Sequence, residues 1–224
     1  MVDLFPPLGL VVRTPRLELR VPGSFEDAAR LADLAAEGIH EPGFMPFAVE
    51  WTDGTPEQVR RRVFANALKN LTHGMGVTSH GEWQLKFLVY ARELPNEPLG
   101  LMDVTAEDFH ITGDVRTGSW LGKRYQGAGY GKEMRTAVLA LAFEGMGARR
   151  ALTKAREGNT ASLGVTRSLG YTFIGSHPAC SRGVDTLTHE FEMTRDTWNG
   201  SRHLRPHVGW EGLDTVLDFF GITC

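Results

Sequence analysis

Trp120-Leu121-Gly122-Lys123-Arg124-Tyr125-Gln126-Gly127-Ala128-Gly129-Tyr130-Gly131-Lys132-Glu133-Met134 joins a strand-like segment, a glycine-rich turn and the opening of an amphipathic helix. A turn of this kind presents backbone N–H groups to a phosphate. Glycine at 127, 129 and 131 removes the Cβ atoms that would hold an anion away from the main chain, and permits positive φ where consecutive amides converge. The segment Gln126, Gly127, Ala128, Gly129, Tyr130, Gly131 and Lys132 therefore reads as a cradle for a pyrophosphate. Two better-known glycine loops fail on spacing. A dinucleotide fingerprint starting at Gly127 and Gly129 needs glycine where the chain has Lys132. A Walker loop ending in Gly131-Lys132 needs glycine at Gln126 and a hydroxyl residue at Glu133.

Beyond the turn, Met134, Val138, Leu141 and Gly145 share one helical face, with Ala137 and Ala142 beside them, which predicts a helix to Gly145 or Gly147. Its N-terminus faces the loop and adds the positive end of the helix dipole. Lys123, Arg124, Lys132 and Arg135 are expected to ring the turn, opposed only by Glu133. The chain as a whole has a net charge of −3, so this cationic cluster is local. Arg150 to Ala155 then reads as a strand leading into Glu157-Gly158-Asn159-Thr160-Ala161-Ser162. Asn159 or Thr160 caps a following helix that stops at Leu169-Gly170-Tyr171.

Gln126-x-x-Gly129-x-Gly131, followed after one helix and one strand by Asn159-x-x-Ser162 and Leu169-Gly170-Tyr171, resembles the coenzyme A signatures of the GCN5-related N-acetyltransferase superfamily. The opening Thr14-Pro15-Arg16-Leu17 and Ser162 are similar to its ribosomal-protein N-terminal acetyltransferase branch. The resemblance runs from about residue 14 to residue 198. It implies an α/β fold with a central mixed, twisted sheet and flanking helices. It also implies acetyl-CoA or another acyl-CoA, succinyl-CoA among them, as co-substrate, and direct acyl transfer to a primary amine. Many members carry tyrosine seven residues after the asparagine as the acid for the departing thiolate; here that position is Thr166, and the branch pattern makes Ser162 the candidate acid. The resemblance also places the oxyanion donor and the strand edge that pairs with the pantetheine arm within Ser119, Trp120 and Leu121, and adds Asn159 to the coenzyme residues.

An attacking amine must be neutral, so a base is required. Asp103, Glu107 and Asp108 lie on or just past the strand candidate 99–104, and Asp108 is favoured because its connection could fold over the acceptor side. Cys180 and Cys224 sit in no nucleophile motif, which argues against a covalent acyl-enzyme. The eight histidines are scattered and no Cys/His spacing suggests a metal.

A length of 224 residues with 42% hydrophobic content supports one substantial core. The sequence shows neither a bilayer-spanning apolar run nor an export signal, so a cytoplasmic, metal-free enzyme without membrane or nucleic-acid partners is expected. Thr14 to Val21 reads as the first strand, Ser24-Phe25-Glu26-Asp27 as a capped helix start, and Thr55-Pro56-Glu57 as a second. The proline-rich connection between them follows from the resemblance as the acceptor wall, with Phe44, Met45, Phe47 and Trp51 lining it. Trp83 to Leu94 and Leu187 to Met193 read as strands, and Pro95-Asn96-Glu97-Pro98 as a turn. Residues 1–198 form the catalytic domain in this reading. Residues 199–224 form an extension with a polar linker, then Val216, Leu217, Phe219, Phe220 and Ile222, which must cover their own domain or a partner subunit; a homo-oligomer is expected. The acceptor is a small-molecule, peptide or protein amine. A non-catalytic coenzyme A sensor or structural subunit of the same fold is the alternative, and a nucleotide-binding module the weaker one.

Overall fold

A computed structural model describes residues 2–73 and 81–222, with the side chains of 70–73 outside the description. The elements in chain order are β1 (Val11–Arg13), β2 (Leu17–Arg20), α1 (Phe25–Glu37), α2 (Pro56–His73), β3 (Trp83–Ala91), β4 (Leu94–Ala106), α3 (Phe109–Thr112), β5 (Asp114–Leu121), α4 (Tyr130–Ala140), β6 (Arg150–Arg156), α5 (Thr160–Ser168), β7 (Thr172–Ser181), β8 (Val184–Thr194), α6 (Arg195–Gly200), β9 (Gly209–Glu211) and α7 (Leu213–Phe220). Helix α4 continues as a π turn over Leu141–Gly145. The helix starts are fixed by side chains. Ser24 Oγ accepts from Asp27 N at 3.0 Å, Thr55 and Gln58 exchange hydrogen bonds as a capping box, and Asn159 Oδ1 accepts from Ser162 N at 3.1 Å.

The strands form one sheet in the order β7-β8-β6-β5-β4-β3-β2-β1-β9. Every pairing is antiparallel except β5 with β6, which makes the sheet mixed. That parallel pairing covers only Asp114↔Arg150 through Thr117↔Thr153. From Gly118 onward β5 stays paired to β4 alone, so β5 and β6 diverge as a V. Alternation along the strands divides their side chains between two cores. Leu85, Phe87, Val89, Met102, Val104, Val115, Leu121, Ala151 and Ala155 pack with α4, while Leu88, Tyr90, Leu101 and Trp120 pack with α1 and α2.

The structure revises several elements. The turn after β3 is Arg92-Glu93, and Pro95 to Pro98 lie within β4, where the register shifts between Val89 and Tyr90 and again between Tyr90 and Ala91. A short β1 precedes β2 across a hairpin, and β7 is an additional edge strand. The stretch after Trp198 is pinned rather than a free linker. Arg205 stacks over the Trp198 ring at 3.8 Å and donates from Nη2 to Leu169 O and Ser201 Oγ. Strand β9 then pairs with β1, and α7 buries Val216 and Phe220 in the α4-side core. The Phe220 ring stacks on Trp83 with centroids 5.1 Å apart, and Phe219 meets Phe5 edge-on at 5.7 Å.

Candidate active site

The glycine turn lies between the free end of β5 and the start of α4. Gly127 and Gly129 have φ of 78° and 82°, a left-handed conformation that strains any residue with a Cβ. A Cβ built on Gly127 meets nothing within 4 Å, so this side of the turn is open, next to a helix N-terminus. Gly131 differs: it has no positive φ, and a Cβ there would meet Val165 at 3.6 Å and Leu121 at 3.8 Å, ordinary contact distances, so packing alone does not demand glycine. Gln126 is turned inward, its amide nitrogen donating to Ile39 O at 2.6 Å and Leu121 O at 2.9 Å. That side chain ties the loop to the end of α1 and to β5.

The expected ring of cations is largely spent on other partners. Lys123 pairs with Glu41 and Arg124 with Glu37, while Arg135 is buried and points along the core. Its Nη1 donates to Thr166 Oγ1 at 3.2 Å and Thr153 Oγ1 at 3.4 Å, and its Nη2 to Ser119 Oγ at 3.2 Å. Burial lowers the Arg135 pKa. The reason is helical phase: Arg135 lies one turn after Gly131 on the face that carries Val138. Thr166, where the resemblance would place a tyrosine, is enclosed and engaged by that guanidinium. Lys132 stays at the turn, and Arg16 joins it from the β1–β2 hairpin. Arg16 donates from Nη1 to Ala128 O at 3.1 Å, lies over the Tyr130 ring at 4.7 Å, and pairs with Glu133 at 2.6 Å. Thr14 Oγ1 donates to the same carboxylate at 2.6 Å. Glu133 thus clamps Thr14 and Arg16 onto the loop.

On the α1–α2 face, a cleft of about 460 Å³ opens beside the V, lined among others by Phe47, Trp51, Lys86, Asp103, Ser119 and Trp120. Register creates its polar floor. Asp103 is opposite Lys86 on one side and Gly118 on the other. A Cβ at Gly118 would fall 2.7 Å from Asp103 Oδ1, so glycine makes room for this carboxylate. Burial pushes the Asp103 pKa up, with Lys86 and the Gly118 N–H acting against it, and burial pushes Lys86 down. Aromatic rings run from the connection to the strand: Phe47 to Trp51 at 4.8 Å and Trp51 to Trp120 at 5.9 Å. Met45 is buried beneath the connection rather than in the cleft, and Phe44 packs against Gly158.

Asp108 is elsewhere. It precedes α3 in a left-handed conformation with φ of 47°, past the end of β4, and is not among the cleft residues. Its backbone carbonyl receives Ile111 N and Thr112 N, its side chain makes no capping hydrogen bond, and Asp is among the few non-glycine residues that tolerate the left-handed conformation. Ser162 lies in the first turn of α5, with its backbone N–H on Asn159 and its side chain partly exposed. Among the described residues no cluster of three or more His, Cys, Asp or Glu is arranged for a metal, and no helix is long and apolar enough to cross a membrane.

A mixed sheet that opens between two parallel strands, with a glycine turn and a helix N-terminus at the opening, defines the fold of acyl-CoA N-acyltransferases. The family described as acetyltransferase (GNAT) domain matches residues 16–172, and the chain belongs to it. Three solved structures show the likeness. A GCN5-related N-acetyltransferase from Brucella melitensis is 16% identical, with 86% of this chain and 82% of that one covered and a TM-score of 0.66. RimL, a ribosomal L7/L12 alpha-N-protein acetyltransferase in complex with coenzyme A, is 20% identical, with 84% and 99% covered and a TM-score of 0.60. An acetyltransferase of the GNAT family from Bacillus anthracis is 15% identical, with 83% and 99% covered and a TM-score of 0.60. At these identities the likeness is one of fold.

Proposed function

We propose that the chain moves an acyl group from coenzyme A directly to a primary amine, with Asp103 as the base and Ser162 as the acid. The observation that carries this reading is the succession of three features along β5: the open left-handed glycine turn that follows it before α4, its edge over Gly118–Leu121 that β6 leaves unpaired, and the Asp103 cleft that Gly118, Ser119 and Trp120 line. Coenzyme A supplies an activated acyl thioester. The backbone of Gly127 through Lys132 and the α4 N-terminus hold its pyrophosphate, with Lys132 and Arg16 nearby. The β5 edge over Ser119, Trp120 and Leu121, which β6 leaves unpaired, serves the pantetheine arm and the carbonyl oxygen, with Leu121 O already taken by Gln126 Nε2, and Asn159 orders the start of α5 beside them.

Asp103 takes a proton from the incoming ammonium. A carboxyl whose pKa is raised by burial is a stronger base than an ordinary surface aspartate. Phe47, Trp51 and Trp120 form the apolar wall of the acceptor cleft, and Ser162 returns a proton to the thiolate. Acetyl-CoA is the default donor, with a succinyl donor as the alternative. The acceptor is an amine on a small molecule, peptide or protein; the RimL likeness makes protein N-termini the first class to screen. A thiol-release assay with acetyl-CoA against amine panels tests the reading. Turnover that falls in Asp103→Asn with coenzyme affinity kept supports it, whereas binding without turnover on any amine returns the chain to the non-catalytic reading.

A further inference from the structure

Arg156 ends β6 at the wide mouth of the V. Ala151, Thr153 and Ala155 face α4, so alternation sends Arg156 to the opposite face, shared with Gly118, Trp120 and the cleft. The residue is only 5% exposed, and its Nε and Nη1 are enclosed without a hydrogen-bond partner. It makes no ion pair among the described residues. Arg135 is buried too, but three hydroxyls receive its Nη donors and only its Nε is left without a partner. Burying a guanidinium with donors unmet is costly, and such groups are retained where something satisfies them.

The surroundings place Arg156 where donor and acceptor meet. Its carbonyl accepts from Asn159 N at 3.0 Å, and the next turn, at Gly158, lies under the Phe44 ring of the acceptor connection. Glu50, on that connection, receives Arg182 N from the β7–β8 turn at 3.0 Å. That hydrogen bond and its own backbone N–H lower the Glu50 pKa, and Arg156 contributes to the same shift. Arg182 also grips Asp53 and donates to Pro42 O at 2.6 Å, closing the connection over this side of the V.

We propose that Arg156 is a specificity residue that receives a carboxylate at the reaction centre. The carboxylate belongs either to a dicarboxylic acyl group on coenzyme A or to the acceptor amine as its own α-carboxylate. The assignment rests on the acyltransferase reading above. An isolated carboxylate is the anion that a single buried guanidinium matches in charge and size, whereas a phosphate has its own site at the glycine turn.

The test is calorimetry on the full chain, with wild type, Arg156→Gln and Arg156→Lys, and melting midpoints as a check on folding. If the carboxylate is on the acyl group, succinyl-CoA binds roughly tenfold or more tighter than acetyl-CoA, and Arg156→Gln erases the difference while coenzyme A affinity is unchanged. If it is on the acceptor, the coenzyme A-saturated protein binds free L-amino acids over their C-terminal amides by a similar factor, and the variant loses that discrimination. Arg156→Lys keeps part of either preference. Equal affinities in both comparisons for wild type, or preferences that survive in Arg156→Gln, overturn the proposal and leave Arg156 structural. Failure of coenzyme A itself to bind removes the acyltransferase reading, and this assignment with it.

Discussion

Replacing Glu133 with alanine should destabilise the fold by about 3 kcal/mol, a value that follows from what its carboxylate holds. It accepts Thr14 Oγ1 at 2.6 Å, Arg16 N at 3.1 Å and Arg16 Nε at 2.6 Å, and its side chain is 10% exposed. Hydrogen bonds to a charged group contribute about 1.5–3 kcal/mol each when buried. Thr14 is buried, and its hydroxyl also accepts Leu17 N at 2.9 Å, so losing the carboxylate strands a donor. We assign that bond about 2 kcal/mol and the backbone bond to Arg16 about 0.5. The Arg16 side chain is 48% exposed, so its ion pair is screened and adds about 0.5 kcal/mol. At about 2–4 °C per kcal/mol for a chain of this size, the melting midpoint should fall by roughly 6–12 °C. Urea unfolding gives the free energy directly, with Glu133→Gln intermediate because one acceptor oxygen survives. The Thr14→Val/Glu133→Ala cycle should show a coupling of about 1–2 kcal/mol. A Glu133→Ala protein within about 0.5 kcal/mol of wild type would refute the idea that this carboxylate clamps the β1–β2 hairpin to the glycine turn.

Asp103→Asn should lower kcat by roughly 10²–10⁴-fold with little change in coenzyme affinity. Burial raises the Asp103 pKa, so wild-type activity should climb with pH through that raised value, and the variant should lose this acid limb; an unchanged profile would exclude Asp103 as the base. The same shift means that folding favours the protonated carboxyl, so its contribution to stability declines as pH rises from about 4, and Asp103→Asn should remove that decline in pH-dependent unfolding. Gly127→Ala puts a methyl group into the open side of the turn, and coenzyme affinity should fall at least tenfold for about 1–2 kcal/mol of lost stability; full affinity in a folded sample would contradict the cradle assignment. Ser162→Ala should reduce turnover more than coenzyme affinity, and equal turnover would leave the hydroxyl without a chemical part. Phe220→Ala, which empties the stack on Trp83, should cost about 3–5 kcal/mol in urea unfolding; a loss below about 1 kcal/mol would show that α7 contributes little to the core.

The parts legible in the sequence were those whose physics is local. Glycine spacing, helical periodicity and the Ser24, Thr55 and Asn159 caps are written in consecutive residues, and α1, α2, α4 and α5 follow from them. What escaped depends on pairing. Asp103 becomes a cleft carboxylate only because register sets it between Lys86 and Gly118, and no spacing rule chooses it over Asp108 five residues on. Arg135 and Arg156 count as surface charge in a composition, yet helix phase and strand alternation bury both. Strand β7 is exposed on both faces over most of its length, so it carries no alternation to read. The residues after Trp198 look like a polar linker until the stacking of Arg205 on that indole is known. Arg16 reaches the glycine turn through a clamp to Glu133, a contact between positions more than a hundred residues apart.

The measurement that tests the central claim most directly is a calorimetric titration of wild type and Gly127→Ala with coenzyme A, acetyl-CoA, ATP and NAD. The account predicts saturable binding of the coenzyme A compounds alone, at one site per chain, weakened at least tenfold by the substitution. Binding of ATP or NAD in preference, or no binding of any coenzyme A compound by a folded protein, would contradict it.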